Sequence, residues 1–331
     1  MQVTLKDVAL RAGVSKSTAS LALNDSDKIK NETKNRVKQA ARELDYVPNV
    51  IGQALKSKST KTIGLVIPEI NSSFFPRLIE LIKQGVKERG YTLILGTTEH
   101  LQEEENRYVQ VFKSRQLDGA IFAAENEVNS VVDDYAEQHT PVVYIDRSVG
   151  DNRQIPVVES DLQGGMYQAV NYLFGLGHKR IGYVGGPDRR FTGYERALRE
   201  HNQELTEDYH YYLGDFENNE IDPEQLPGAL VCFNDETAYR VILYLRRLGL
   251  KVPGDISVCG LDNLRLSEIY NPALTTVNVP LEQMVHQALR LLFKMLDGEK
   301  LNDRDFYQLF EVELIPRDST AGPRNYKRIG S

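Results

Sequence analysis

Cysteine is scarce in this chain: there are two in 331 residues, Cys232 and Cys259, each in an apolar, strand-like run. That excludes a disulfide-stapled scaffold and points to buried thiols in a reducing compartment. The six histidines are scattered, with no His/Cys pair at ligand spacing, so no structural metal site is expected. No apolar run is long enough to span a membrane, and the N-terminus opens on a polar amphipathic helix rather than a signal peptide. Catalytic signatures are missing as well. There is no Gly-x-Ser-x-Gly elbow, no His-Glu-x-x-His and no paired catalytic carboxylates. Gly185-Gly186 lacks the Gly-Lys-Ser/Thr of a phosphate loop, and His178 reads as a helix-ending structural residue rather than a base. Neither an enzyme nor a cofactor is expected.

A net charge of −7 argues at first against nucleic acid, but its distribution reverses that. Residues 1–61 hold 12 Lys and Arg against 6 Asp and Glu, whereas the remainder holds 28 against 41. A small basic head on an acidic body suits phosphate contact by the head alone. Within that head, Leu5, Val8 and Ala9 recur at helical spacing, and Gly13 breaks the run where a tight turn needs positive φ. Ser15 offers an N-cap hydroxyl to a second short helix, Lys16 to Leu23. Two short helices about a glycine turn, the second polar on its outer face, form a helix-turn-helix, whose second helix enters the DNA major groove. Val37, Ala40, Ala41 and Leu44 then mark an amphipathic helix from Asn31 to Asp45 that closes a three-helix head; Pro48 ends it. Asn49 to Leu55 is weakly helical and too short to stand alone, and residues 56–61 form a basic polar linker.

From Thr62 the texture changes to alternating strands and helices. Strands at Ile63–Ile67, Tyr91–Leu95, Gly119–Ala123 and Val142–Ile145 alternate with helices at Phe74–Arg89, Gln102–Arg115 and Glu127–Gln138. A second series follows: helix Gly164–Leu176, strand Arg180–Val184, helix Gly193–His201, strand Ala229–Phe233, helix Glu236–Leu248 and strand Ile256–Cys259. A strong amphipathic helix, Leu281–Leu296, lies between strand-like segments Thr275–Val279 and Tyr307–Ile315. The fold class is therefore α/β: an all-α helix-turn-helix head plus a body of two doubly wound parallel sheets. The expected divisions are a head, 1–46; a hinge and linker, 47–61; and a body, 62–331. The body divides into a proximal lobe of about 62–157 and 281–310 and a distal lobe of about 159–278 and 312–331. The chain is expected to cross between lobes near Val158, Val279 and Val312, which leaves a cleft at the C-terminal ends of both sheets.

The chain resembles the lactose-repressor/galactose-repressor family of transcription regulators over essentially its whole length. The matching residues are Thr4-Leu-Lys-Asp-Val-Ala, Ala12-Gly-Val-Ser, Tyr46-Val-Pro-Asn49 and Thr62-Ile-Gly-Leu-Val-Ile-Pro68. Gly177-His-Lys-Arg-Ile181, Gly185-Gly-Pro187, Asn234-Asp235, Val252-Pro-Gly-Asp-Ile-Ser-Val258 and Asp262 continue the match. The resemblance implies a periplasmic-binding-protein-like body and a cytoplasmic homodimer on a pseudo-palindromic operator of double-stranded DNA, with no membrane partner. It places DNA contacts at Thr4, Lys16, Ser17, Thr18, Ser20, Leu21, Asn24 and Asn49, with Leu55 wedged into the minor groove. Leu55 packing on a partner helix is the alternative. Leu21 stands where the family usually has Arg; it either touches a thymine methyl or turns inward.

The resemblance also implies a small effector, a sugar or sugar phosphate, in the cleft of a repressor of a carbohydrate-utilisation operon. Asn71 and Ser72 in the first βα loop can hydrogen-bond it, and Phe74 can stack on it. Asp146, Arg190, Asn234 and Asp262 match ligand-contacting positions, and carboxylate, amide and guanidinium groups suit vicinal hydroxyls. Helix capping by Asn234 and Asp262, an ion pair at Arg190 and a core position for Phe75 are the structural alternatives. The segment between Gly-Gly-Pro and Arg190 is shorter than the family's, and Asp215–Pro227 is short and acidic, which reduces the distal wall. A protein coregulator or a non-sugar metabolite therefore stays an alternative; a solute-binding protein is disfavoured by the basic head. The effector's sign, release or corepression, stays open.

Overall fold

The structure is a computed structural model that describes residues 3–47, 59–123, 129–138, 140–147 and 154–323. By its contacts the chain divides into two compact units, 1–60 and 61–331. The first contains α1 (Leu5–Arg11), α2 (Lys16–Leu23) and α3 (Asn31–Glu43) around buried Val8, Ala9, Ala12, Ala19, Ala22, Val37, Ala40 and Ala41. Small side chains at Ala19 and Ala22 let short helices approach closely. Gly13, at φ +65°, makes the turn between α1 and α2. The Thr18 amide then donates to Ser15 Oγ at 3.0 Å, capping α2. Such a cap is worth about 1 kcal/mol, a large share of what so small a core supplies.

The second unit begins with β1 (Thr62–Ile67), α4 (Phe74–Glu88), β2 (Thr92–Thr97), α5 (Gln102–Arg115), β3 (Gly119–Phe122), α6 (Ser130–Glu137), β4 (Val142–Ile145) and β5 (Val157–Ser160). It continues through α7 (Leu162–Gly175), β6 (Ile181–Val184), α8 (Arg189–Glu200), β7 (His210–Tyr211), α9 (Leu213–Glu217), β8 (Ala229–Cys232), α10 (Asp235–Arg247) and β9 (Ser257–Asp262). Last come α11 (Leu266–Ile269), β10 (Thr275–Asn278), α12 (Leu281–Leu296), β11 (Tyr307–Phe310) and β12 (Glu313–Ile315). Two six-stranded sheets result, ordered β11-β5-β4-β3-β1-β2 and β12-β10-β9-β8-β6-β7. Among the described residues all strand pairings are parallel except β10 with β12. The chain passes from the proximal to the distal sheet after Ser160, returns after Asn278 and passes again after Phe310.

The inner strands β3, β4, β6 and β8 are buried along their whole length and apolar, with alternate residues facing opposite cores. In β1, Ile63, Leu65 and Ile67 join Leu78 and Ile82 of α4 and Leu291 and Leu292 of α12, whereas Val66 joins Val109 and Phe112 of α5. In β8, Val231 faces Ala169, Val170 and Tyr194 of α7 and α8, whereas Leu230 and Cys232 face Val241 and Leu245 of α10. Both cysteines are buried free thiols. α7 and α8 approach closely at Gly193, where a Cβ would stand 2.1 Å from the Gln163 carbonyl oxygen.

Some boundaries differ from the sequence reading. α8 starts at Arg189 rather than Gly193, because the Asp188 carboxylate accepts the amides of Arg190 (2.8 Å) and Phe191 (3.3 Å). α6 starts at Ser130, behind Asn129 as its cap, rather than at Glu127, which lies outside the described residues. Tyr307–Ile315 resolves into two strands in different sheets. The acidic segment after Tyr212 includes a single helical turn, α9, anchored by buried Phe216.

Candidate functional site

Two regions concentrate polar side chains. On the first unit, α2 buries Ala19 and Ala22 and turns Lys16, Ser17, Leu21 and Asn24 outward, with Thr18 and Ser20 at its half-buried margins. Leu21 is 38% exposed, so its inward alternative fails. Ser17 shares a 2.8 Å hydrogen bond with Ser15, and Thr18 another, which ties the first turn of α2 to its cap. Thr4 sits exposed before α1; its hydroxyl donates to Asp7 at 2.7 Å and its amide to the same carboxylate at 2.9 Å. Such an outward face presents amine, hydroxyl, amide and methyl groups, the repertoire that reads base edges. Asn49 and Leu55 lie outside the described residues.

The second region is at the C-terminal ends of the two sheets. From the proximal side come the loop after β1, with Asn71 exposed and Ser72 half-buried, and the ends of β4 and β5. Among the described residues, Ser72 Oγ is buried without a hydrogen-bond partner, as is Thr98 Oγ1 beyond β2. Phe74 and Phe75, half-buried, meet edge to face at 5.4 Å and pack against the core, as the core alternative for Phe75 required. Asp146, at φ +50°, accepts the Ser160 amide at 2.7 Å and its hydroxyl at 2.8 Å, so one carboxylate oxygen ties β4 to β5. Beside it Arg147 is fully buried against Glu105, with three N–O distances of 3.1 Å, and its guanidinium lies 4.6 Å from the centre of the Tyr144 ring.

From the distal side, Asn234 takes its capping alternative: its Oδ1 accepts the Thr237 amide at 2.8 Å at the start of α10. Arg190 takes its ion-pair alternative. Its guanidinium donates to Asp188 at 2.7 Å and to the Phe233 carbonyl at 3.1 Å, and lies 3.4 Å from the centre of the Phe233 ring. The two differ in cause: the Asn234 oxygen accepts an orphan amide at the start of α10, whereas the Arg190 guanidinium donates to Asp188, the carboxylate that caps α8. Asp262 ends β9 half-buried at φ +123°, a backbone conformation that costs an L-residue about 1–3 kcal/mol. Burial pushes its carboxyl well above the usual range, and the negative fields of Asp235, Asp146 and Glu236 push the same way against Arg190. Asp235 itself is buried; it accepts from Thr276 Oγ1, Ser267 Oγ and, at 2.8 Å, the Leu264 amide, which fixes the segment just after Asp262.

Sequence reasoning missed Arg189. It ion-pairs with Glu159 of β5 and donates to the Asp146 carbonyl at 3.4 Å, joining the two sheets' ends. The signal was the consecutive pair Arg189-Arg190 behind a capping Asp188. Together the cleft offers carboxylates, a guanidinium, hydroxyls and an aromatic edge, which suit recognition of a polar small molecule. Among the described residues no group of His, Cys, Asp and Glu is arranged to hold a metal ion, and no helix is long and apolar enough to cross a membrane.

A helix-turn-helix unit followed by a two-lobed α/β body with a polar cleft defines a ligand-responsive DNA-binding regulator. Family models match accordingly: that of the bacterial regulatory proteins of the lacI family over residues 4–49, and that of the periplasmic binding protein-like domain over 170–320. The HTH-type transcriptional repressor CytR of Escherichia coli K12 is 32% identical over 332 residues, covering 96% of each chain. The repressor PurR of Vibrio campbellii is 31% identical, covering 96% of this chain and 98% of its own. Among solved structures, the transcriptional regulator CelR in complex with cellobiose is 28% identical with a TM-score of 0.70, over 96% of this chain and 100% of its own. The Lac repressor dimer bound to operator and an anti-inducer shares the fold at a TM-score of 0.82 and 23% identity, over 97% and 100%. This chain belongs to the lacI family of bacterial regulatory proteins: it is a DNA-binding transcription regulator, not an enzyme.

Proposed function

We propose that this protein is a cytoplasmic homodimeric repressor of a carbohydrate-utilisation operon. It binds a pseudo-palindromic operator through residues 1–46 and a hinge at 47–61. A sugar or sugar phosphate binds between a proximal lobe (about 62–157 and 281–310) and a distal lobe (about 159–278 and 312–331). The observation that carries the DNA reading is the outward face of α2, where Lys16, Ser17, Leu21 and Asn24 stand together on one side of a capped helix. Lys16 suits guanine O6 and N7, and Leu21 suits a thymine methyl, so the half-site differs from one read by arginine.

The effector reading is supported by Asp262, whose carboxyl has no hydrogen-bonded partner among the described residues, and by Asn71 and Ser72 in the loop after β1 at the C-terminal end of the proximal sheet. The likeness to a cellobiose-bound regulator favours a carbohydrate. Regulation follows from population shift: a ligand that binds one lobe arrangement better moves the dimer toward it, and the hinge pairing on DNA follows. The test is mobility shift on genomic fragments, followed by a panel of sugars and sugar phosphates. Specific retardation altered by one compound supports the proposal. Binding that no fragment competes for, with the panel inert, contradicts it.

A further inference from the structure

The two lobes are joined by three strand crossings at one end of the cleft, and such joints normally leave the lobes free to hinge. Here a charged pair spans the gap itself. Arg189, the first residue of α8 on the distal lobe, reaches Glu159 of β5 on the proximal lobe and donates to the Asp146 carbonyl at 3.4 Å. The pair is sheltered: its side chains are 31% and 9% exposed. Burial opposes the charge on Arg189, while the negative field of Asp146 favours it. A partly desolvated guanidinium with two acceptors on the opposite lobe loses both when the lobes part. We propose that Arg189 is a latch across the cleft, holding the lobes together through Glu159 and the Asp146 carbonyl without need of a ligand, and so setting the balance that the effector must shift.

The neighbouring arginine does not share this role, because Arg190 turns back to Asp188 and Phe233 within its own lobe. The latch is a property of the chain whatever ligand the cleft takes, so its test needs none. Full-length protein is labelled at Glu103→Cys and Glu220→Cys, exposed positions on opposite lobes; both native cysteines are buried. Labelled chains are diluted with unlabelled ones, so that only distances within one protomer are read by pulsed electron resonance. Arg189→Ala and Glu159→Gln are each expected to shift the distance distribution to longer values, and the swap Arg189→Glu with Glu159→Arg to bring it back. An unchanged distribution in both single variants overturns the latch, and so does a swap that fails to restore it. Should Arg189→Ala fail to fold, Glu159→Gln, which keeps size and hydrogen-bonding capacity, carries the comparison. Failure of the effector reading would show instead as an inert ligand panel with the latch distances unaltered.

Discussion

Removing one charge from the Glu105–Arg147 pair gives a stability loss that the structure allows to be estimated. Both side chains are fully buried: Glu105 accepts from Arg147 at 3.1 Å and from Asn129 Nδ2 at 2.6 Å, and Arg147 leaves β4 one residue after Asp146. Glu105→Gln keeps the shape and an acceptor but removes the negative charge beside a buried guanidinium. Breaking a buried pair in this one-sided way costs about 3–5 kcal/mol. For a body of this size each kcal/mol lowers the melting temperature by roughly 2–4 °C, so the expected loss is on the order of 10 °C. Glu105→Leu with Arg147→Met removes both charges together. It should cost far less, about the 1 kcal/mol of the hydrogen bond that Asn129 then lacks. Calorimetry of the three proteins checks this. A single variant that melts within roughly 2 °C of the parent, or a double variant as unstable as the single, would refute the reasoning.

Ser15→Ala removes the cap from α2 and should lower the stability of the head by about 1 kcal/mol, read by urea unfolding, and weaken operator binding with it. His178 Nε2 donates to the Ala321 carbonyl at 2.8 Å and lies 3.1 Å from Ser257 Oγ, and burial holds its ring below the ordinary value of 6.5. The unfolded chain therefore takes up the proton first: stability is full above about pH 6.5 and is lost as pH falls through the depressed value. His178→Gln should flatten that slope in urea midpoints between pH 7.5 and 5; an unaltered slope would show that other groups set it. Asp262→Asn should weaken the effector response on the order of tenfold while operator binding holds, measured as release or retention on DNA against effector concentration. Arg190→Ala, which loses the ties to Asp188 and Phe233, should lower thermal stability as well as effector response.

The elements that could be read from sequence were those with strong local rules. α2 was bounded by a turn glycine and a capping serine, and α12 by sixteen residues of unbroken helical period. β5 escaped as a strand because four residues, Val157–Ser160, carry no period of their own and pair only through distant β4 and β11. The cleft was harder for a geometric reason. Arg189 and Arg190 are adjacent, so on a helix they point about 100° apart. Which one spans the cleft depends on where α8 starts, and that is set by Asp188. The sequence motif favoured Arg190; the cap turned Arg190 inward and sent Arg189 across. Asp235 was visible only as part of an Asn-Asp pair, since its three partners, Leu264, Ser267 and Thr276, are brought to it by β9, α11 and β10.

The central claim is that α2 reads an operator and the cleft controls it. The most direct measurement is selection of bound sites from genomic DNA by the full-length protein, repeated with Lys16→Ala and Ser17→Ala. The account predicts one enriched pseudo-palindrome, affinity that falls steeply with salt, and loss of that site's preference in the variants while weak non-specific binding persists. Equal enrichment of all fragments, or a site selected unchanged by both variants, would contradict it.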